Sequence, residues 1–382
     1  MVTRRTLLTT GAASIVIAGI GGTWWGTTGP AKVAREPWRR ASAGFGDPRL
    51  DVLAYAILAP NPHNMQPWRV ELDEGLGFRV YCDLERLLPE TDPPNRQITI
   101  GFGCFLELCR QAAAEAGFRA DIAYFPDGEP GALLDARPIA AVELADDASV
   151  ESDPLFLNVL DRRTNRLEYD TSRPIDADLL SRVEAATVEG VEVSTTADTG
   201  LLEELITLAV DAWSVEWSTQ RTRGESVEVS RIGRAAVDAN PYGLAMDDRM
   251  SSSLGRIGLM TPEALDDPES MIYRESFAFY ERACRSVSAF VWSTTPTNSR
   301  IAQLDAGRAW VRVQLAANAV GLSFHPLSQA LQEFPEMAEH YRRAHELLAR
   351  KDGETVQMLA RLGFGTPIGP APREALESKL IS

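Results

Sequence analysis

Histidine and cysteine are scarce in this sequence. Only four residues of each type occur among the 382. None of the cysteines forms a C-x-x-C motif or a paired Cys/His spacing of the kind that a zinc site needs. A structural zinc site is therefore not expected, no metal ligand is assigned, and no disulfide framework is implied. Cys104 and Cys109 lie between apolar neighbours in a predicted helix, which favours buried thiols.

Basic residues are also too few to balance the acidic ones. The 38 Lys and Arg residues face 54 Asp and Glu residues, which gives a formal net charge of −16. This balance excludes a nucleic-acid-binding protein that relies on general basic charge. Apolar residues make up 45% of the chain and charged residues 24%, as in globular proteins. The length predicts two or three domain units, or one large unit that contains a duplication.

Residues 1 to 35 contain no acidic side chain. They begin with Thr3-Arg4-Arg5-Thr6-Leu7-Leu8 and continue with a glycine-rich, modestly apolar run over 11–22, a pattern that resembles a twin-arginine signal. The run is shorter than the roughly 18 to 20 apolar residues that span a membrane. We therefore expect a targeting segment over 1–35 and export by the twin-arginine machinery. The product would be periplasmic after cleavage near Gly29-Pro30-Ala31, or membrane-anchored outside the cytoplasm without it.

The first half predicts helices and strands in alternation. Two X-Pro steps exclude a helix from the loop at 59–67, and a turn at 74–77 joins two strands as a hairpin. Gly117 follows a long apolar helix at the position where helices commonly end. The predicted elements are a helix over 50–58, strands Trp68–Leu72 and Phe78–Asp83, a helix over Thr99–Ala116 and a strand over Ala120–Phe125.

Part of the second half resembles this unit. One offset of 204 residues aligns Gly103 with Gly307 and also Gly117 with Gly321. Two apolar helices of equal length then end alike, which favours an internal duplication. The alternative, two unrelated alanine-rich helices, stays open.

The second half also predicts helices over 174–186 and 201–220, followed by a segment over 221–270 that lacks regular apolar spacing. This segment is rich in Gly, Ser, Arg and Asp. A stretch of this length within a compact unit is more often a lid or a binding loop than a linker. We therefore predict an irregular, mobile lid at 221–270.

Three separate segments have the chemistry of one anion and heterocycle site. Arg162, Arg163, Thr164 and Arg166 offer forked cationic donors and a hydroxyl for a phosphate, at a predicted helix start. A solvated basic surface run is the alternative. The loop from Pro60 to Trp68 presents the amides of Asn64 and Gln66, unless these only stabilise the turn. The third segment runs over 321–329, where His325 is either a proton donor or a structural group.

Together these segments resemble the FMN-dependent nitroreductase superfamily. The resemblance rests on Arg162-Arg163-Thr164-Asn165-Arg166, on Asn64-Met65-Gln66-Pro67-Trp68, on Gly321-Leu322 before Pro326, and on Arg361-Leu362-Gly363-Phe364 with Arg373. The order of the segments is similar to the single-chain, duplicated, twin-arginine-exported branch that includes Acg-like proteins. The resemblance covers about 47–373.

The resemblance implies an α+β, nitroreductase-like fold. Two pseudo-symmetric halves, each a mostly antiparallel sheet packed by helices, would resemble a fused homodimer. The halves are expected at 47–150 and at 151–382, the second with the probable lid. One composite FMN site per chain is expected, because the arginine element has no counterpart in the first half. The chain would then be a monomer that acts as a pseudo-dimer.

The resemblance also implies the residues that hold a non-covalent FMN. Those expected at the phosphate are Arg162, Arg163, Thr164, Arg166 and Arg373. Those expected at the ribityl chain or the ring are Pro60, Asn64 and Gln66, with the backbone of Pro326, Leu327 and Ser328 near flavin N5. No side chain is assigned as a catalytic acid or base, because the family's chemistry can take protons from solvent.

The expected function is that of an oxidoreductase that passes electrons or hydride to a small, electron-poor acceptor such as a nitroaromatic or a quinone. No glycine-rich dinucleotide fingerprint follows a predicted strand, so the electron donor is not identified. A flavin storage or sequestration protein with a lidded site and no turnover is the main alternative. An exported structural domain without flavin is the third.

Overall fold

The computed structural model of this protein describes residues 29–381. In that range helices and strands form a mixed α+β structure with two main sheets. The α-helices are α1 (Glu36–Ala41), α2 (Pro48–Ala56), α3 (Arg96–Glu115), α4 (Ala177–Glu184), α5 (Thr199–Ser218), α6 (Gln220–Glu228), α7 (Arg234–Ala239), α8 (Arg249–Arg256), α9 (Pro262–Asp266), α10 (Met271–Arg285), α11 (Arg300–Ala319) and α12 (Ala338–Leu348). The strands are β1 (Trp68–Leu72), β2 (Gly77–Cys82), β3 (Phe118–Tyr124), β4 (Ala140–Asp146), β5 (Glu192–Thr196), β6 (Ser230–Ile232), β7 (Leu244–Met246), β8 (Ala289–Thr295), β9 (Ser323–Pro326), β10 (Thr355–Gly363) and β11 (Leu380–Ile381).

The first sheet has the strand order β11-β1-β2-β4-β3 and exposes one face to solvent. Trp68, Val70 and Phe78 lie in the core, while Arg69 on the other face pairs with Asp83 at 3.0 Å. Apolar and polar residues alternate in these strands because only one face is covered. β11 pairs with β1 in parallel, so the end of the second half completes the sheet of the first.

The second sheet repeats this plan with the order β5-β8-β10-β9. In each sheet one long helix connects two strands: α3 connects β2 to β3 in the first sheet, and α11 connects β8 to β9 in the second. β8 and β10 are buried at every position. Phe290 and Trp292 face a core shared with α5 and α12, while Ala289 and Val291 face the core shared with α11. Because both faces are covered, apolar residues occupy successive positions in these strands, over 289–292 in β8 and 358–360 in β10, instead of alternating with polar ones.

α3 and α11 cross at two glycines. A Cβ added to Gly103 would lie 2.9 Å from Gly307 Cα, and one added to Gly307 would lie 2.8 Å from Gly103 Cα. Each added atom would also overlap a backbone carbonyl oxygen of the other helix, from Leu304 and Ile100 respectively. Leu304 follows Ile100 by the same 204 residues that separate the glycines. The crossing is therefore symmetric in its contacts.

These features confirm the predicted α+β class with two halves of like plan. The strand at Trp68–Leu72 has the predicted bounds, and the predicted helices and strands of both halves are present with ends shifted by a few residues.

The segment at 221–270 is folded, so the prediction that it is irregular was wrong, while its role as a lid stays a prediction. It contains α7, α8 and α9, most of α6, and the paired strands β6 and β7. Its polar residues cap short helices: Asp248 accepts hydrogen bonds from the amides of Met250 and Ser251 at the start of α8. A small apolar cluster holds the elements together, around Val227, Leu265 and Ile272. Residues 197–288, between β5 and β8, are called the insertion below.

The N-terminal described residues pack into the fold. Arg35 makes a bidentate ion pair with Asp247 of the insertion, at 2.7 and 3.0 Å, and the Ala31 amide donates to the same carboxylate at 2.7 Å. The Arg373 amide donates to the Ala34 carbonyl at 2.7 Å. Residues 31–35, part of the predicted targeting segment, therefore join the insertion to the C-terminal segment.

Residues 1–28, which carry the twin-arginine pattern, lie outside the described residues, so export stays a prediction. Among residues 29–381, no helix combines the length and the apolar character needed to cross a membrane.

Candidate functional site

The sequence-predicted segments meet in space. Arg162 Nη2 donates to the Leu58 carbonyl at 2.7 Å, which joins the loop after Leu160 to the loop after α2. Arg373 Nη2 donates to the same carbonyl at 2.9 Å. The Asn165 amide donates to the Phe324 carbonyl of β9 at 2.9 Å. One region of the molecule therefore combines loop 57–66 of the first half with three segments of the second half.

Arg162, Arg163 and Arg373 form an arginine cluster around one indole ring. Their guanidinium carbons lie 5.6, 5.1 and 5.5 Å from the ring centroid of Trp38. Trp38 is 6% exposed and donates from Nε1 to the Ala371 carbonyl at 2.8 Å. Such distances are within the reach of cation–π attraction. α1 therefore covers the cluster, and the sequence offered no local pattern that would have identified Trp38.

Arg162 is buried without full hydrogen bonding. Its side chain is 3% exposed, Nη1 donates to Gln314 at 3.1 Å, and Nε has no partner. Within residues 29–381 no carboxylate forms an ion pair with any member of the arginine cluster. Burial lowers the pKa of Arg162 to about 10, which leaves it charged at neutral pH. A buried cation with an orphaned donor is suited to an anion.

Gln314 positions the arginine element from α11. Its Nε2 donates to the Arg163 carbonyl at 3.0 Å and to Thr164 Oγ1 at 3.4 Å. Gln314 was not predicted from the sequence, although an amide on a buried, alanine-rich helix was an available signal. The predicted helix start at Thr164 is wrong: the element lies in a loop, and the next helix, α4, begins at Ala177.

Arg166 is exposed, unlike Arg162. Its charge acts on the rings of His63, His325 and Tyr280. Arg166 therefore lies toward a second part of the site, away from the Trp38 indole that the arginine cluster surrounds.

The amides of Asn64 and Gln66 are occupied by the protein itself. Asn64 Oδ1 accepts from Arg373 Nη1 at 2.6 Å. Gln66 is fully buried, donates from Nε2 to the Pro241 carbonyl at 2.9 Å and accepts from the Glu374 amide at 2.9 Å. The structure therefore places both side chains as links from the loop to the insertion and to the C-terminal segment. Pro60, half-buried, leads into this loop.

The Arg373 side chain is also fully hydrogen-bonded within the protein. All three of its side-chain nitrogens donate to oxygens of the protein, among them the carbonyls of Ile57, Leu58 and Ala59 at 2.9 to 3.0 Å. These carbonyls end α2, where a cation is favoured by the helix dipole. The geometry assigns Arg373 to holding the loop rather than to offering a free donor.

The segment over 326–328 leaves one backbone amide for a ligand. Pro326 has no N–H, and the Leu327 amide donates to the Leu359 carbonyl at 2.8 Å. Ser328 follows, with its hydroxyl near Met358 Sδ at 3.9 Å. Of the three predicted residues, Ser328 is the one whose amide is not used by a neighbouring strand.

Two histidines complete the region. His63 Nδ1 is enclosed and lacks a partner, and burial together with the charge of Arg166 lowers the pKa of His63 to about 4. His325 is 2% exposed, and burial with the charges of Arg361 and Arg166 holds its pKa well below the usual value. Both rings are therefore neutral at physiological pH.

The arrangement can bind an anion at one end and a neutral polar group at the other. The arginine cluster supplies buried positive charge, while the histidines and the Ser328 amide supply uncharged hydrogen-bonding groups. In the described chain no group of three or more His, Cys, Asp or Glu residues could hold a metal ion.

No protein-family model matches the chain. Sequence comparison finds relatives in Mycobacterium tuberculosis. "Putative NAD(P)H nitroreductase Rv3131" is 26% identical over 334 residues, which are 85% of this chain and 88% of the relative. "Putative NAD(P)H nitroreductase acg" is 32% identical over 146 residues, which are 37% of this chain and 42% of the relative. These relatives support a place in the nitroreductase superfamily.

A comparison of structures adds the FMN-dependent nitroreductase NfnB from Mycobacterium smegmatis, solved in complex with NADPH. It is 15% identical and covers 57% of this chain and 92% of its own, with a TM-score of 0.35.

Proposed function

We propose that this chain binds one FMN non-covalently at the site described above and passes electrons through it to a small, electron-poor acceptor. The curated relatives support an oxidoreductase of the nitroreductase type. The acceptor would be a nitroaromatic or a quinone-like molecule, and the electron donor a nicotinamide or another reductant.

Arg162 carries this proposal. It is a buried cation with an unpartnered Nε, close to two further arginines and without a carboxylate partner among the described residues. A phosphate ester carries up to two negative charges and matches the fork of a guanidinium group. The residues present therefore fit the phosphate end of FMN.

Each site residue then has a distinct role. Arg162 and Arg163, with the Thr164 hydroxyl, would bind the phosphate, and Arg373 would hold the loop that borders it. Arg166 and the Ser328 amide would lie toward the ring. FMN, when bound, supplies the redox chemistry by taking up and releasing two electrons. Protein groups orient it and shape its electrostatics.

The amides of Asn64 and Gln66 fit a contact to FMN less well. Their hydrogen bonds to Arg373, Pro241 and Glu374 would have to break first. We propose that they fix the loop and that the backbone over 60–62 approaches the ligand instead.

The finer assignments belong to the same proposal. The acidic-residue-free N-terminus supports twin-arginine export to the periplasm or to an anchored position outside the cytoplasm. The order of β1-β2-β4-β3 matches that of β5-β8-β10-β9, and together with the 204-residue offset it supports an internal duplication. The match to acg supports the Acg-like branch. A chain that contains both halves needs no second copy to form the site, which supports a monomer.

The experiment is an absorption spectrum of protein purified without added flavin, followed by FMN titration of the apoprotein and of Arg162→Met. We expect about one FMN per chain, and an affinity about 10- to 150-fold lower in the variant, which is the loss of one charge-assisted hydrogen bond. Arg182→Met on exposed α4 is the control and should bind as the wild type does. If all three proteins bound FMN with equal affinity, the arginine cluster would not be part of the FMN site.

The alternative of a flavin storage protein is supported by the contacts of the insertion with the loop at 57–66. The Gly243 amide donates to the Asn64 carbonyl at 3.1 Å, and Gln66 donates to Pro241. A storage protein would be reduced by dithionite but not by NADPH, and its reduced flavin would not be reoxidised by a quinone in the absence of oxygen. Rapid reoxidation by the quinone would favour the oxidoreductase.

A further inference from the structure

His325 and Arg361 are neighbours on adjacent strands of the second sheet, where the His325 ring contacts Tyr280 of α10. They are directly opposite each other in the pairing of β9 with β10. Arg361 is fully buried, and no carboxylate of the described chain forms an ion pair with it. A buried guanidinium without an acid partner must be held by other oxygens or by neutral nitrogens.

Every donor direction of Arg361 is taken by a fixed partner. Nη1 donates to the Ser286 carbonyl at 2.8 Å, and Nη2 donates to the Leu167 carbonyl at 2.7 Å. The guanidinium carbon lies 3.8 Å from the ring centroid of Tyr169. Nε lies 3.0 Å from His325 Nδ1. The position of the guanidinium is therefore fixed by three backbone or ring contacts besides the histidine.

This contact determines the tautomer of His325. A guanidinium can only donate, so Nδ1 must accept, and a nitrogen that accepts carries no proton. The neutral ring then carries its proton on Nε2. Protonation of Nδ1 would place its N–H against the Nε–H of Arg361 and an imidazolium charge against the guanidinium charge, and both contacts are repulsive.

Nε2–H has no acceptor among the described residues. The ring is 2% exposed, and Tyr280 meets it edge to face with centroids 5.4 Å apart. The tyrosine hydroxyl is turned toward Gln329, at 3.2 Å from its Oε1. Unlike the enclosed Nδ1 of His63, Nε2 keeps a small accessible area, so an acceptor can reach the donor that the protein leaves unpaired.

The charged and titratable groups near the imidazole come from four elements. They are Arg361 of β10, Arg166 of the loop before α4, Tyr280 and Cys284 of α10, and Glu216 of α5, which acts on Tyr280. Neither carboxylates nor other bases are among the groups that act on the ring directly. Both charged groups that act on the ring are cationic, so they favour the neutral form of His325.

We propose that His325 Nε2–H donates a hydrogen bond to the oxygen of the electron acceptor, the nitro or quinone oxygen on which negative charge develops. The inference rests on the proposed function and names a residue of its acceptor site. His325 lies directly before the segment over 326–328 that is assigned to the reacting edge of the cofactor. Neutral imidazoles can stabilise such oxyanions without giving up a proton.

The step balances without a proton from His325. A quinone gains a hydride, which is two electrons and one proton, from the reduced cofactor and becomes the hydroquinone anion. Water supplies the second proton to the oxygen that Nε2–H stabilises. The cofactor is oxidised, the quinone is reduced, and His325 stays neutral throughout.

The first test is long-range ¹H–¹⁵N NMR of the flavin-loaded protein, which is tractable because the chain has four histidines. We expect the Nε2–H tautomer of His325 from pH 5 to 8, and a shift of its Nε2 resonance when 4-nitrobenzoate is added. His340, on α12, should not shift. An Nδ1–H tautomer, or no response of His325 to the probe, would overturn the proposal.

The second test is the rate at which dithionite-reduced protein is reoxidised by 1,4-benzoquinone without oxygen. We expect His325→Leu to slow this step about 10- to 100-fold and His325→Gln, which keeps an N–H donor, to recover most of the rate. His340→Leu is the control and should react as the wild type does. A His325→Leu protein that retains FMN and reacts at the wild-type rate would contradict the role of His325.

The two proposals fail differently. If the wild type binds no FMN, the proposed function is wrong, whatever the state of His325. If it binds FMN and the two His325 variants react alike, the proposed function stands and the donor role is wrong.

Discussion

Gly103 and Gly307 contact each other at the crossing of α3 and α11, with no space for a side chain on either residue. The Cys104 thiol adds a hydrogen bond across the same crossing, to the Gly307 carbonyl at 3.1 Å. The two halves therefore meet backbone to backbone at this point. Any added atom must push apart the helices that hold the halves together.

We expect Gly103→Ala to lower the free energy of unfolding by about 1 to 3 kcal/mol, the usual cost of overpacking a core. Urea unfolding measures it. Gly224→Ala in α6 is the matched control, because nothing lies within 4 Å of the added Cβ. That variant should be unchanged or more stable by up to about 1 kcal/mol. Equal stability of Gly103→Ala and the wild type would contradict the close crossing.

Trp38 should matter for both stability and the arginine cluster. We expect Trp38→Ala to lower the free energy of unfolding by about 3 to 5 kcal/mol, because a large buried ring is removed. Trp38→Phe keeps a ring over the guanidinium groups and loses the bond to Ala371, which costs about 1 kcal/mol. Urea unfolding separates the two variants. If they were equally stable, the ring would contribute nothing beyond its N–H.

The sequence was most informative where the pattern is local. Trp68–Leu72 was predicted with its observed bounds because a proline precedes it, a turn follows it and its apolar residues alternate. The structure of the segment over 221–270 was not predicted, because its short helices depend on caps and on contacts with distant residues rather than on apolar spacing. Asp248 is one such cap.

The site shows the same division. The arginine element, the loop of the first half and the strand end could be selected as residues of one site from their chemistry. The hydrogen bonds of the Gln66 side chain could not be predicted, because its partners Pro241 and Glu374 are 175 and 308 residues away in sequence. The pairing of His325 with Arg361 also depends on strand register, which a single sequence did not specify.

Glu216 should make stability fall as pH rises. Burial raises its pKa to about 7, and its partner Gln332 has a buried Oε1 without a donor, which a protonated Glu216 could supply. The folded state therefore binds a proton more tightly than the unfolded state, so this stability is present below about pH 4.5 and lost toward pH 7. The whole effect is about 3 kcal/mol.

The measurement compares urea unfolding of the wild type and Glu216→Gln at pH 5 and pH 8. We expect the wild type to lose about 2 to 3 kcal/mol relative to the variant between these two values. Glu228→Gln, at an exposed position of α6, is the control and should follow the wild type. A constant difference between wild type and Glu216→Gln would show that the carboxyl does not titrate in this range.

Asp247 anchors the N-terminal segment. Its carboxylate accepts from Arg35 through two bonds and from the Ala31 amide. We expect Asp247→Ala to expose the segment over 29–41 to limited proteolysis at least several-fold faster, while the sheets stay resistant, because local opening needs fewer broken contacts. Mass spectrometry of early fragments locates the cuts. Asp248→Ala, which removes only the cap of α8, should leave cleavage at 29–41 unchanged.

The parallel pairing of β11 with β1 also sets when the fold can be completed during synthesis. Val70 pairs with Leu380, so β1 waits for a partner that is made 310 residues later. At about 5 to 20 residues per second, this delay is about 15 to 60 s. During that time one edge of the first sheet lacks its native strand, and Ala34 lacks its bond to Arg373. The emerging chain therefore has an open sheet edge until Leu380 and Ile381 have left the ribosome, and whatever protects that edge must act before then.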